Sequence, residues 1–277
     1  MGCGPRRSAM PVRQITISCL CLAALLAPAG RSRAVAESLV AEPPQAPSFV
    51  VVGTSPERAA VIAAHAEDVR AAIQTRLLER RAAEAWHPRC ELHVHATADA
   101  FTSAVGMPPL AARGATSLEF TGDRVSLRRI DVMGDGPEPI PDALDHELVH
   151  VVLGDRFTEV SPPRWADEGL AILFDSPAIQ RRHDADFRAA LERGQDWPLR
   201  ELLLLDLDPS DLGRQRVFYG QSGSLVRWLL ARGGAVTLLA FLEDAAFDGP
   251  TAALRAHYGF DSAEALEAAW RADLPPP

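Results

Sequence analysis

The sequence contains no lysine, so all 28 basic residues are arginine, set against 37 aspartates and glutamates. The formal net charge at pH 7 is therefore −9, which argues against nucleic acid or an anionic membrane surface as the main partner. Hydrophobic residues make up 47% and charged residues 23% of the 277 positions. This composition excludes a disordered chain and is typical of one substantial globular domain or two small ones.

Cysteine is also scarce, with four in the whole chain. Cys3, Cys19 and Cys21 lie in an N-terminal segment with the features of an export signal, described next. Cys90 alone would remain after removal of that segment, which excludes an internal disulfide in the mature chain. We expect Cys90 to be a buried apolar residue.

The apolar stretch near the N-terminus falls short of transmembrane length. It runs for 13 residues, Ile15 to Ala27, after a basic start and before small-residue cleavage sites that end at Ala29 and Ala36. We predict a signal peptide over residues 1–36, a flexible lead-in over 37–47, and a periplasmic or secreted protein. Contact with a membrane is expected only if the N-terminal segment stays uncleaved. Cleavage would remove five arginines and no acid, which lowers the net charge from −9 to −14.

The apolar pattern predicts an α+β domain over residues 48–274, with a small mixed sheet in its first part, about 48–135. The predicted strands are Phe49–Val52, read as a buried strand, Cys90–Ala96, Thr116–Phe120 and Arg124–Val132, the last two paired as a hairpin. The predicted helices of this part run from Pro56 to about Ala83, capped by Ser55, and from Asp99 to Val105.

Two helices are predicted over residues 139–174. Asp142 caps the first and Gly154 stops it, and the second runs from about Arg164 to Phe174. Residues 175–274 are predicted to be mostly helical, with a break at Gly233-Gly234. The helices expected there are Arg181–Arg193, Tyr219–Ala231, Ala235–Asp244, Thr251–His257 and Ser262–Ala272.

The segment His146-Glu147-Leu148-Val149-His150 has the pattern H-E-x-x-H. On a helix, residues four apart lie on one face, so the two imidazoles can share one Zn²⁺ ion. The glutamate that follows the first histidine is then placed to take a proton from water at the metal. The pattern is short, and it becomes persuasive only with a third ligand in a suitable place.

The next predicted helix supplies such a candidate. It contains Trp165, Glu168, Gly169 and Ala171 in the pattern W-x-x-E-G-x-A, with 17 residues between His150 and Glu168. H-E-x-x-H followed by this pattern resembles the gluzincins, the MA-like zinc metallopeptidases, whose third zinc ligand is a glutamate on the following helix. The resemblance is sharpest from Asp145 to Phe174 and looser on either side.

The resemblance implies a zincin-like fold and hydrolysis of peptide bonds in a peptide or protein substrate. It identifies His146, His150 and Glu168 as ligands of Zn²⁺, with a fourth position open for water as at catalytic sites. Glu147 matches the general base and proton shuttle. Trp165 is expected in the core, and Gly169 is expected to allow close helix packing.

What the chain lacks argues against the aminopeptidase branch and excludes the metzincins. A G-x-M-E-N segment, which the aminopeptidase branch uses to hold the free amino end of its substrate, is absent. In the metzincins a third histidine and a glycine would fall at positions 156 and 153, which are Arg156 and Leu153 here. The choice between endopeptidase and exopeptidase action stays open.

Other residues near the motif have less specific signals. Of the two tyrosines, Tyr219 is a candidate donor to the oxyanion and, with equal weight, a core residue; His257 is a weaker candidate. His93 and His95 fit an exposed strand face better than a metal site. Asp145 and Asp167, which precede ligands, are expected to support them or to cap helices.

The strand Arg124–Val132, just before the motif helix, is predicted to be an edge strand that pairs with the substrate backbone. The resulting hypothesis is an exported zinc metallopeptidase. The alternative is a catalytically inactive zincin-like module of the cell envelope that binds zinc or a partner. The sequence leaves the oligomeric state open.

Overall fold

The structure is a computed structural model of the chain. It describes five stretches: residues 12–19, 48–79, 85–106, 112–134 and 136–274. The predicted lead-in and both predicted cleavage sites lie outside these stretches.

The described stretches hold five strands and nine helices, so the α+β composition is confirmed. The strands are β1 (Val12–Cys19), β2 (Phe49–Val52), β3 (Cys90–His95), β4 (Gly114–Thr121) and β5 (Arg124–Met133). The helices are α1 (Pro56–Leu78), α2 (Ala98–Val105), α3 (Leu144–Gly154), α4 (Arg164–Ile172), α5 (Pro177–Glu192), α6 (Leu199–Leu202), α7 (Leu212–Asp248), α8 (Pro250–Tyr258) and α9 (Ala263–Ala272).

The five strands form one mixed sheet in the order β1-β4-β5-β3-β2. β4 pairs antiparallel with both β1 and β5, whereas β3 pairs parallel with β5 and with β2. The predicted hairpin between β4 and β5 is confirmed. It turns at Gly122, whose φ of 64° is a conformation that glycine adopts without strain.

Two expectations about the sheet are wrong. β5 lies between β4 and β3, so Arg124–Val132 is not an edge strand and cannot pair with a substrate backbone. β2 is an edge strand rather than a buried one, and Val50 and Val52 on it are 40% and 39% exposed. A short β-branched run is compatible with either position, because an edge strand still buries one face.

β1 lies within the residues predicted to form the signal peptide. All eight of its residues pair with β4, from Val12 opposite Thr121 to Cys19 opposite Gly114. In the uncleaved chain this segment is therefore a strand at one edge of the sheet. Signal cleavage itself stays a prediction.

Helix starts follow the sequence in one case and depart from it in another. The Ser55 hydroxyl accepts a hydrogen bond from the amide of Arg58, as predicted for the cap of α1, although the helix ends earlier than expected, at Leu78. α3 begins at Leu144 with no side-chain cap, so the prediction that Asp142 caps it is wrong. The amide of Leu144 instead bonds to the carbonyl of Pro141.

α4 packs closely on α7 through the predicted glycine. A Cβ atom on Gly169 would lie 2.6 Å from the carbonyl oxygen of Ser222, so a larger residue would push the helices apart. Trp165 is 1% exposed and its ring lies 6.5 Å from that of Phe241, which confirms its place in the core. α3 packs against α4 and against the sheet.

α7 is 37 residues long and is interrupted at Gly234, whose φ of 74° confirms the predicted break. Among the described residues it is the one helix long and apolar enough to cross a membrane, with a mean hydropathy of 1.6 in its most apolar window. In the structure it packs against α4, α5 and α8, and Leu225 and Leu229 are fully buried.

Candidate metal centre

His146 and His150 lie one turn apart on α3, and both are 1% exposed. α4 brings Glu168, fully buried, against them. The Nε2 atom of His146 is 3.2 Å from Oε2 of Glu168, and Nε2 of His150 is 3.9 Å from Oε1. One ligand atom from each of the three residues lies within 4.8 Å of the others, so the predicted ligands are brought together.

The three side chains fit a divalent metal ion such as zinc. Ligands about 2.0–2.2 Å from a tetrahedral ion are about 3.3–3.6 Å apart, and the two nitrogen–oxygen distances here, 3.2 and 3.9 Å, lie on either side of that range. The Nε2 atom of His150 is buried and has no hydrogen-bond partner among the residues that the structure describes. Two imidazoles and one carboxylate are also the donor set of catalytic zinc sites.

Carboxylates behind the histidines orient both rings. The Nδ1 atom of His146 is 3.2 Å from Oδ1 of Asp175, and Nδ1 of His150 is 2.9 Å from Oδ1 of Asp167. A carboxylate that accepts the Nδ1–H proton leaves Nε2 with its lone pair free for a metal.

The structure therefore supports the role expected for Asp167 but not the one considered for Asp145. The carboxylate of Asp145 bonds instead to Nε2 of His65 on α1, at 2.6 Å. Asp175 was missed, because it lies seven residues beyond Glu168 and outside any motif. It lies in the short connection between α4 and α5, where nothing in the local sequence singles it out.

Arg164 at the start of α4 contacts the third ligand, and sequence reasoning missed it as well. Its Nη2 atom lies 2.5 Å from Oε1 of Glu168, and its Nε and Nη2 atoms donate to Asp208. Burial alone would raise the pKa of Glu168, but the charge of Arg164, the largest opposing cause, holds that pKa well below its usual value. Glu168 is therefore an anion suited to a cationic ligand.

Glu147 is fully buried beside the ligands and is held by β4. The hydroxyl of Thr116 donates to Oε2 at 2.6 Å, while Oε1 has no hydrogen-bond partner in the described part of the chain. A Cβ atom on Gly114 would lie 2.4 Å from Oε1, so only glycine leaves room for this carboxylate. Burial raises the pKa of Glu147 to about 7. A carboxyl group with that pKa can accept and return a proton near neutral pH.

Tyr219 is 2% exposed and lies in the core next to His183. Its hydroxyl donates to Oδ2 of Asp208 at 2.9 Å, and Asp208 also accepts from Arg164. The tyrosine is thus linked to Glu168 through Asp208 and Arg164. The core position is confirmed, whereas an oxyanion role for Tyr219 stays a prediction.

The remaining histidines of interest pair with acids. His95 bonds to Asp131 at 2.7 Å, and His93 lies 3.3 Å from Glu91 on the same strand. His257 bonds to Asp244 at 2.7 Å. In the described stretches, the triad on α3 and α4 is the one group of three side chains that could hold a metal ion.

A cavity of about 1120 Å³ opens beside His150 of the triad. Its lining also includes Phe120 of β4, Arg13 of β1 and residues 203–208. The cavity is large enough for several residues of a peptide.

Compared with known proteins, the chain matches no family model, no curated protein and no solved structure.

Proposed function

We propose that the protein is a zinc-dependent metallopeptidase of the zincin type, which hydrolyses peptide bonds with Glu147 as general base. The observation that carries the proposal is the buried convergence of His146, His150 and Glu168, with ligand atoms within 4.8 Å of one another. The resemblance of H-E-x-x-H and W-x-x-E-G-x-A to the gluzincins supports it. A bound zinc ion would supply a Lewis acid for the scissile carbonyl and for water.

Glu147 performs the proton transfers in this proposal. Thr116 holds Oε2, which leaves Oε1 to take the proton from the attacking water. The same carboxyl group then returns the proton to the leaving amine. In the metal-free site burial raises the pKa of this carboxyl group to about 7, and the charge of a bound zinc ion would lower it again, which favours the ionised base.

In this proposal the neighbouring charged residues orient the three ligands and keep Glu168 ionised. Asp175 and Asp167 hold the two imidazoles with Nε2 directed at the metal position. Arg164 keeps Glu168 ionised and fixes its orientation through Asp208. The cavity borders His150, one of the three proposed ligands, and is large enough to hold part of a peptide.

Two variants test the proposal. We expect the parent to bind about one zinc per chain by elemental analysis and to cleave members of a diverse peptide mixture in a chelator-sensitive way. His146→Ala should lose the metal, whereas Glu147→Gln should keep it and lose hydrolysis. Cleavage by Glu147→Gln at the parent rate would contradict the assigned base. Zinc binding without cleavage at any pH would favour the alternative, a zincin-like module that binds zinc or a partner.

We also propose that the protein is exported. The basic start, the apolar run Ile15–Ala27 and the small-residue sites at Ala29 and Ala36 support this location. The mass of the mature protein checks it, because cleavage removes every residue before the new N-terminus. An intact N-terminal segment on a membrane-bound protein would instead indicate a tether.

A further inference from the structure

The strand that holds the proposed base also holds the N-terminal segment. β4 contacts Glu147 through Gly114 and Thr116, and its other edge pairs with β1. Gly114 lies opposite Cys19 and Thr116 lies opposite Ile17, so β1 runs beside the part of β4 nearest to the triad.

β1 is also fixed to the loop between α3 and α4. The guanidinium of Arg13 donates to the carbonyl oxygen of Glu159 at 2.6 Å and to the hydroxyl of Ser161 at 2.7 Å. Arg13 and Gln14 line the cavity that His150 borders. The N-terminal strand therefore occupies both an edge of the sheet and one wall of the cavity beside the site.

We propose that the outer edge of β4 is a docking edge for an extended peptide strand, and that Val12–Cys19 is its internal occupant, which excludes substrate from this edge. The substrate part of the inference rests on the proposed peptidase function. Pairing along a strand edge uses main-chain hydrogen bonds, which are the same for any extended sequence, so one strand can replace another.

The occupant has an advantage over a free peptide because it belongs to the same chain and competes intramolecularly. Predicted cleavage at Ala29 or Ala36 would remove that advantage by cutting the link between β1 and the rest of the chain. The uncleaved protein would then be held inactive, and removal of the N-terminal segment would open the edge of β4. Export and activation would be one event.

The test uses the full chain with β1 weakened. In an antiparallel strand alternate residues direct their N–H groups to the partner, so the double variant Ile15→Pro/Thr16→Pro removes one such donor whichever of the two faces β4. The matched control, Ile15→Val/Thr16→Val, keeps both N–H groups and β-branched residues. Arg13→Ala is a milder variant that keeps every backbone bond of β1 and removes its anchor on the loop.

Three measurements are made on each protein: hydrogen exchange of the amides of Gly114–Thr121, binding of a labelled peptide with the sequence of Val12–Cys19, and hydrolysis of a peptide mixture. For the proline variant we expect amide exchange about tenfold faster and peptide binding that the parent and the valine control lack. Hydrolysis should rise in parallel, with a smaller change for Arg13→Ala. Unchanged protection of the α3 amides shows that the fold is kept.

The outcomes separate the two proposals. Exchange and peptide binding that match the parent in both the proline and the Arg13 variants would overturn the docking edge, whatever the hydrolysis rate. An edge that opens and binds the peptide while zinc-loaded protein hydrolyses nothing would support the docking edge and overturn the peptidase. A rise in all three measurements supports both.

Discussion

At the scale of single residues, the histidine ligands depend on carboxylates that lie behind them. Asp175 accepts from Nδ1 of His146. We predict that Asp175→Asn weakens zinc binding about 10- to 100-fold, since a neutral amide, which can donate as well as accept, no longer fixes the tautomer of the ring. Competition with a chelating dye measures the change. Asp145→Asn is the matched control, because Asp145 adjoins His146 in sequence but pairs with His65. Equal zinc affinity of Asp175→Asn and the parent would contradict the role given to Asp175.

Gly114 is a second residue on which the site depends, because the absence of a side chain there leaves room for the carboxylate of Glu147. A methyl group there would lie 2.4 Å from Oε1 of Glu147, so Gly114→Ala must displace the proposed base. We expect kcat to fall about 100-fold while zinc content stays at the parent level. Gly136→Ala, at a position with open space around it, should leave both unchanged. A parent-like kcat in Gly114→Ala would show that Glu147 needs no fixed position.

The residues that the sequence predicted are those whose relation is local. His146 and His150 meet because a helix brings residues four apart together, and the pattern around Glu168 is contiguous. Asp175 reaches His146 only after α3 packs on α4, and nothing in its spacing indicates this contact. Arg164, by contrast, lies four residues before Glu168 on α4, a spacing that by itself indicates an ion pair. Thr116 is 31 residues from Glu147 and meets it only because β4 lies against α3.

At the scale of elements, a histidine links the long first helix to the motif helix. His65 of α1 bonds to Asp145 of α3 at 2.6 Å. The hydrogen bond to Asp145 raises the pKa of His65 above its usual value. The charged pair therefore stabilises the fold fully below about pH 6.5, the unfolded pKa, and the contribution is lost as pH rises through the folded pKa.

We predict that the free energy of unfolding falls more in the parent than in His65→Gln as pH rises through the folded pKa of His65. The difference between the two proteins should be less than about 1 kcal/mol, because the pair is a third exposed. Glutamine keeps a donor for Asp145 but does not titrate. Denaturant unfolding at a series of pH values compares the two proteins. Parallel curves from pH 6 to pH 9 would show that the pair adds no pH dependence.

The cap at Ser55 and the break at Gly234 were predictable at this scale, whereas the start of α3 and the order of strands were not. Ser55 and Gly234 act through their own backbone neighbourhood, so their residue types are informative. The order β1-β4-β5-β3-β2 depends on pairing between segments far apart in sequence. The apolar pattern of one strand does not indicate which strands it pairs with. For that reason Arg124–Val132 was misplaced at the edge.

At the scale of the whole molecule, the proposed centre concentrates buried acids in the core. Glu147, Glu168, Asp167 and Asp175 are each less than 5% exposed. A divalent cation held among them binds the folded chain and not the unfolded chain, so it stabilises the fold. Zinc at 100 times its Kd adds about 2.7 kcal/mol to the free energy of unfolding. We predict that chelation lowers the unfolding temperature of the parent and that zinc restores it. His146→Ala should unfold at one temperature with or without zinc.

The single cysteine of the predicted mature chain has a consequence for the molecule as a whole. Cys90 lies on β3 with no exposed surface, and burial raises the pKa of its thiol, so Cys90 offers no reactive thiolate in the folded protein. If cleavage occurs as predicted, the remaining chain has no disulfide to form and needs no disulfide catalyst to fold. A thiol reagent would modify Cys90 only when the sheet opens, so the rate of modification reports how often the sheet opens.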